Sequence, residues 1–373
     1  IGQALHRRAI GANVRLRSAA GATALARYAA DERQLGSLRT LALEQLARYA
    51  EPPTRDLTMG FHRPLAKIER TVVAGVLQAE GRALIDSSLG ARALEIASDY
   101  GVSPLSDVEL AALVASPTAA EAERGAALEA LRARVVAQAG TKAGGAAASA
   151  AAEARRAATR AIEDPAPTLR TAGRDLLAAV DPGEGLVSLL AAAATGPDAG
   201  ERQHAWRRLA GSTDPRARDA IRGAVAAWQA GELAEAEALD VLVAAQGLGD
   251  PELAATARAL IAGDGAAPVE SRRWALAGGD PVAGRRVFQT VGDCQRCHGD
   301  PEAPAEGAGH GGRIGPDLAG VAGRGAGYVL ESVLVPDARI APGYASPSAM
   351  PPIGLALEPA ALRDLVAYAM TLE

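Results

Sequence analysis

Apolar residues recur three and four positions apart through most of the first 277 residues. In GSLRTLALEQLARYAEP the stripe is Leu38, Ala42, Leu46 and Tyr49. In ERGAALEALRARVV it is Leu128, Leu131 and Val135, and in TLRTAGRDLLAAVDP it is Leu169, Ala172, Leu176 and Val180. Each stripe is about one helix face wide, which predicts helices that bury one side against a neighbour. Asp-Pro pairs punctuate the pattern at 164, 181, 214, 250 and 280, the last four separated by 33, 36 and 30 residues. Asp suits the cap of a helix and Pro its first turn, so each pair predicts a helix start. A period of this length, built of helix pairs, predicts an α-solenoid, with an irregular helical bundle as the alternative.

Composition sharpens this reading. The chain of 373 residues is long enough for two or three domains. It is 49% hydrophobic but only 3% aromatic, because alanine supplies most of the apolar count. Val, Ile and Thr are thin, which favours helix over strand. The formal net charge of −5 argues against a nucleic-acid partner, which usually requires a basic stripe. Of 39 basic residues only Lys67 and Lys142 are lysine, a bias of genome composition. No apolar run approaches the roughly 18 residues of a membrane span; GLVSLLAAAATG is too short and too rich in small residues. The chain opens at Ile1 within a helical pattern and without a signal-peptide pattern. It reads as a mature chain or a fragment from which any targeting segment has gone. The low-complexity stretch 139–164 reads as a loop followed by an alanine-rich helix.

The pattern changes at about 278. GGDPVAGRRVFQTVGD opens a segment richer in Gly and Pro, giving two expected domains, 1–277 and 278–373. The second holds 7 Arg and no Lys against 11 Asp plus Glu, so most of the negative charge lies there. Both cysteines of the chain lie there too, in CQRCH (294–298).

Cys294-x-x-Cys297-His298 has the spacing of c-type haem attachment. Two thiols one helical turn apart add to the two vinyl groups on one porphyrin edge, and the adjacent histidine reaches the iron. Three other readings compete. A thioredoxin-like redox pair needs a βαβ context, and the pattern offers no strands. A zinc site of Cys294, Cys297, His298 and His310 would need adjacent Cys and His ligands in one tetrahedron. A structural disulfide would gain little from so small a loop.

The surroundings carry a resemblance. GDPVAGRRVFQTVGDCQRCHG, GRIGPDLAGVAGR, YVLESVLVPDARIAPGY, SAMPPIG and LEPAALRDLVAYAMTLE together resemble a cytochrome c domain along residues 278–373. RTLALEQLARYAEP and RQHAWRRLAGSTDP are similar to HEAT repeats, at shorter spacing, and lack the aromatic positions of tetratricopeptide repeats. With AEPPTRDLTMGFHRPL upstream, the combination resembles the HEAT-repeat plus C-terminal cytochrome region of bacterial, planctomycete-type periplasmic membrane-bound dehydrogenases. The resemblance implies an all-α fold, a HEAT-like helical solenoid followed by a small helical cytochrome c domain.

It also implies roles. Asp280 caps a first helix begun by Pro281, with Gly284, Val287, Phe288 and Val291 inward. Pro359 begins a last helix with Leu362, Leu365, Val366 and Ala369 inward. The two helices cross at Gly284, with Phe288 and Tyr368 beside it. Cys294 and Cys297 bind one covalent haem c, and His298 is the proximal iron ligand, oriented by the backbone oxygen of Pro316 in GPDL. Met350 in SAMPP is the sixth ligand, where Met59 and Met370 are poorly placed and His310 is the runner-up. Arg324 and Tyr328 contact a propionate, or else are a surface Arg and a half-buried Tyr. A strand-rich insert found in many relatives before the Met loop is missing after Tyr344.

The function implied is extracytoplasmic, periplasmic electron transfer. The helical repeats would dock the cytochrome to a redox partner protein, or to an upstream dehydrogenase domain or subunit. Two alternatives stand beside it: a scaffold subunit with the haem as accessory relay, and a haem enzyme or gas sensor with a labile Met350. The helical part shows no phosphate loop, nucleophile elbow or HExxH, and His6, His62 and His204 are isolated.

Overall fold

The structure, a computed structural model, describes residues 2–56, 60–138, 145–299 and 314–373, with backbone alone at 145–147. It is all-α: among the described residues the only β pairing is an isolated bridge between Arg55 and His62. No described helix is long and apolar enough to cross a membrane. The chain forms two compact units, Ile1–Ser188 and Leu189–Glu373.

The first unit contains α1 (Gly2–Leu16), α2 (Ala19–Ala30), α3 (Gly36–Ala47), α4 (Arg70–Ile85), α5 (Gly90–Asp99), α6 (Asp107–Ala115), α7 (Glu121–Gln138), α8 (Gly145–Ile162) and α9 (Pro167–Val180). Helix packing runs between neighbours and next-but-one neighbours: α2 on α3 and α4, α5 on α7, α6 on α7 and α8, α7 and α8 on α9. That ladder is solenoid-like, since each helix buries its stripe on elements close in sequence. Of the three predicted stripes, Leu38, Ala42, Leu46, Leu128, Leu131, Leu169 and Leu176 are buried. Val135, Ala172 and Val180 are half-buried edges of the core. Tyr49 is buried although α3 ends at Ala47. Its hydroxyl accepts from the Ser18 N–H at 3.1 Å and donates to the Asn13 carbonyl at 3.0 Å.

The alanine-rich stretch forms α8, with Ala154, Ala157, Ala158 and Ala161 buried. These small residues let α9 approach closely. A Cβ on Gly173 would lie 2.9 Å from both the Ala158 oxygen and the Ala161 Cβ.

α10 (Pro182–Thr195) spans the division between the units. The second unit continues with α11 (Ala199–Leu209), α12 (Pro215–Ala230), α13 (Glu235–Gln246), α14 (Pro251–Ala262) and a 3₁₀ turn, Glu270–Ala275. α13 packs against α11, α12, α14 and that turn. Then follow α15 (Pro281–Gln289), the single-turn α16 (Gln295–His298), α17 (Ala326–Leu334) and α18 (Pro359–Ala369), with 3₁₀ turns at Val321–Arg324 and Ile353–Leu355. The compositional change at 278 lies inside this unit, because the turn Glu270–Ala275 packs on α13, α14 and α18 alike.

Asp181, Asp214, Asp250 and Asp280 each accept a backbone N–H in the first turn of the helix that follows, as the Asp-Pro pattern predicts. Asp164 does not cap a helix. Its carboxylate accepts the Ala166 N–H, and α9 starts only at Pro167. The second proline is the cause: a residue before proline avoids the α region, and Ala166 is extended at φ −79°, ψ 122°.

α15 and α18 cross in close contact. A Cβ on Gly284 would lie 1.9 Å from the Asp364 oxygen and 2.8 Å from the Tyr368 Cβ. Beside the crossing the Phe288 and Tyr368 rings pack at 5.4 Å and 60°, a tilted geometry favourable to aromatic pairs. Leu362, Leu365, Val366 and Ala369 are buried. Val291 departs from the expected inner face: α15 has already ended at Gln289, and Val291 is 72% exposed. Val287 is half-buried.

Candidate functional site

The cysteine motif is positioned by the end of α15. There the Gly292 and Cys294 N–H groups donate to the Val287 and Phe288 carbonyls, each at 2.8 Å. Asp293 between them takes φ +46°, the left-handed region that Asp tolerates better than most residues. This reversal starts α16, where the Cys297 and His298 N–H groups donate to the Cys294 carbonyl at 3.1 and 2.9 Å. Gly299 ends the turn at φ 76°, ψ −172°, a conformation essentially reserved for glycine.

Cys294 and Cys297 are free thiols, both half-buried. They stand three residues apart on one helical turn, the spacing that puts two side chains on the same side. Burial pushes the Cys294 thiol up to about 11, opposed by a backbone hydrogen bond and aided by the Asp293 charge.

His298 is fixed by two contacts. Its Nδ1 lies 2.8 Å from the Pro316 carbonyl oxygen, the pairing the resemblance assigned. A carbonyl only accepts, so the proton sits on Nδ1 and the Nε2 lone pair is left for another partner. The second contact is Gly315. A Cβ there would lie 2.8 Å from His298 Cε1 and 2.9 Å from Nδ1, and the Gly315 N–H donates to the Cys297 carbonyl at 3.0 Å. The Gly315–Pro316 strand of chain therefore clasps the imidazole from one side. Sequence reasoning found Pro316 but missed Gly315, Asp293 and Gly299. A glycine directly before the accepting Pro316 was the available signal for the first.

The remaining candidates lie elsewhere on the segment. Met350 is half-buried in the loop between α17 and the turn Ile353–Leu355, its N–H bonded to Ser348 Oγ at 3.2 Å. Arg324 and Tyr328 engage each other: Nη1 donates to the Tyr328 hydroxyl at 2.7 Å, and the guanidinium sits 4.8 Å over the ring. Arg324 is exposed and Tyr328 half-buried. His310 and Met59 lie outside the described residues.

No family model, curated protein or solved structure matches the chain.

The site rests on its donor chemistry. Two soft thiols on one turn stand beside an imidazole whose Nε2 is unclaimed by the Pro316 bond. These are the residue types and spacing that a covalently attached haem would need. Among the described residues, no group of three or more His, Cys, Asp or Glu side chains is placed so that it could hold a metal ion. The proposed zinc quartet would need His310 for its fourth ligand.

Proposed function

We propose that this chain is a periplasmic electron carrier with one covalent haem c, attached through Cys294 and Cys297 and ligated by His298 and Met350. The observation that carries the reading is the His298–Pro316 hydrogen bond at 2.8 Å, next to a Cys-x-x-Cys pair on a single helical turn. A haem so held supplies reversible one-electron chemistry at its iron.

The chain's own residues determine how that chemistry is set. The two cysteines retain the group without a large enclosing core. The Nδ1–H bond to Pro316 fixes the histidine tautomer and makes Nε2 a stronger donor. Met350 supplies a soft thioether that favours the reduced metal and raises the potential. Arg324 and Tyr328, which pair with each other, would be the donors for a carboxylate of the bound group. With both His298 and Met350 as ligands, a bound haem would have no position left for a substrate, which favours electron relay over catalysis. The helical units present the carrier to a redox partner, an oxidoreductase on another domain or subunit. Attachment to Cys-x-x-Cys-His takes place outside the cytoplasm, which supports the periplasmic location.

The test is a pyridine haemochrome assay on protein matured in a periplasm, with intact mass and optical spectra of both redox states. One c-type haem per chain, a low-spin reduced spectrum and no carbon monoxide binding are expected. A colourless protein of unmodified mass would overturn the proposal. Ready carbon monoxide binding to the reduced protein would mean that Met350 is displaced or does not ligate, and would favour the gas-sensing alternative.

A further inference from the structure

GGDP at 278–281 stands at the compositional change between the two expected domains. The structure gives its two glycines a packing task. Gly278 has φ +80°, and a Cβ there would lie 2.3 Å from Gln203 Nε2 and 2.4 Å from the Ala236 oxygen. A Cβ on Gly279 would lie 2.5 Å from the Arg363 oxygen and 2.9 Å from the Ala367 Cβ. Both glycines are therefore needed for close approach, the first also for its backbone conformation. Neither is free chain.

Polar contacts lock the same joint. Gln203 on α11 donates through Nε2 to the Gly278 carbonyl at 2.8 Å and to the Ala236 carbonyl at 2.5 Å. The Asp280 N–H donates to Asp364 Oδ1 on α18 at 2.8 Å. Deeper in, Asp240 on α13 takes Arg207 Nη1 on one oxygen at 2.6 Å and Arg363 Nη1 of α18 on the other at 2.7 Å. Asp240 is 5% exposed and Arg363 8%, while the Arg207 side chain is half-exposed. The Arg363–Asp240 pair joins residues 123 apart in sequence. Neighbouring Glu237, also buried, binds Arg202 Nε at 2.8 Å and Trp206 Nε1 at 3.0 Å, which stiffens α11 on α13.

We propose that residues 278–373 are no tethered module but a fixed mount on α11–α14, with Asp240 as the anchor that neutralises Arg363. The segment then opens only together with α13, and the Cys294–His298 motif keeps a constant position relative to those helices. Arg363 is the vulnerable member. Its charge is buried next to Leu362 and Val366, Asp240 is the carboxylate it bonds, and without Asp240 only the neighbouring charge of Asp364, itself bonded to the Asp280 N–H, would remain. The proposal involves only side chains of the chain and stands whether or not a haem is bound.

Native-state hydrogen exchange on the full chain, read by mass spectrometry across a denaturant series, tests it. In the wild type, the most protected amides of α13, α15 and α18 are expected to share one opening reaction with one denaturant slope. Asp240→Ala is expected to raise exchange in α15 and α18 by about 100-fold or more. Asp240→Ala/Arg363→Met, which removes the stranded charge and keeps the bulk, is expected to recover most of that protection. Wild-type α15 and α18 opening separately from α13 would overturn the proposal, and that comparison decides the matter even if Asp240→Ala does not fold. Protection in α15 and α18 within threefold of wild type in a folded Asp240→Ala chain would overturn it as well.

Discussion

The Gly315 hydrogen is what allows His298 to sit against the loop that orients it. With a Cβ at 2.8–2.9 Å from the imidazole, either the ring or the loop has to move. Among the described residues the ring's one hydrogen bond is to Pro316, so the side chain is softer than the loop backbone. Gly315→Ala is therefore expected to lengthen or break that bond while leaving the Cys294 and Cys297 thiols free to react. On the proposed function, the variant still acquires covalent haem but with weakened proximal ligation. Its spectrum should show a high-spin fraction, and its potential should shift, where Asp317→Ala next to the same loop leaves both unchanged. Identical spectra for Gly315→Ala and the parent protein would mean that this glycine does not position the histidine. Asp293 and Gly299 illustrate the same economy of backbone. Two left-handed residues bracket one helical turn, and so a five-residue motif can face a single direction.

At the scale of elements, the crossing of α15 and α18 is the part of the C-terminal segment that tolerates least change. Gly284→Ala puts a methyl 1.9 Å from the Asp364 carbonyl oxygen, which is backbone and cannot swing aside. The helices must separate, and Phe288 and Tyr368 lose their packing. A loss of about 1–3 kcal/mol, the usual cost of overpacking, is expected as the lower bound from denaturant midpoints. An unchanged midpoint would show that the crossing is looser than the geometry indicates. Much of this element structure was legible in the sequence. The Asp-Pro starts at 181, 214, 250 and 280 follow from capping chemistry, which is local, and the inward faces of α15 and α18 were what the resemblance to a cytochrome c domain implied. Two features escaped for a common reason: Pro167 delays the start of α9 past Asp164, and Val291 falls outside α15, while Tyr49 is buried as its stripe predicts but beyond the end of α3. Each depends on where a helix stops, which local pattern marks poorly. The Gly278–Gly279 joint and the Asp240–Arg363 pair were hidden altogether, because their partners lie on other helices. At the site itself the sequence pointed to Cys294, Cys297, His298 and Pro316, since those roles belong to a short motif and its loop. Gly315 remained unread because its task is defined by a ring that reaches it from across the loop.

For the molecule as a whole, on the proposed function, charge distribution decides which reagents and partners approach productively. Residues 278–373 hold 7 Arg against 11 Asp plus Glu, while the preceding residues are close to neutral. A field of this sign attracts cations and repels anions at separations within a Debye length, about 30 Å at 0.01 M salt and about 10 Å at 0.1 M. Carboxylates of a bound haem would add to it. Small inorganic oxidants separate this effect from any specific docking, because they carry charge but no complementary surface. Oxidation of the reduced protein by a hexaammine cobalt(III) or ruthenium(III) cation is therefore expected to slow several-fold between 0.01 and 0.2 M salt, and oxidation by ferricyanide to accelerate. Stopped-flow spectroscopy would read both. Opposite salt slopes place the electron-transfer edge within the acidic field of the C-terminal segment, and a protein partner would then need a basic face. Equal slopes would mean that the edge lies outside that acidic field, and the partner's recognition would have to rest on apolar contact.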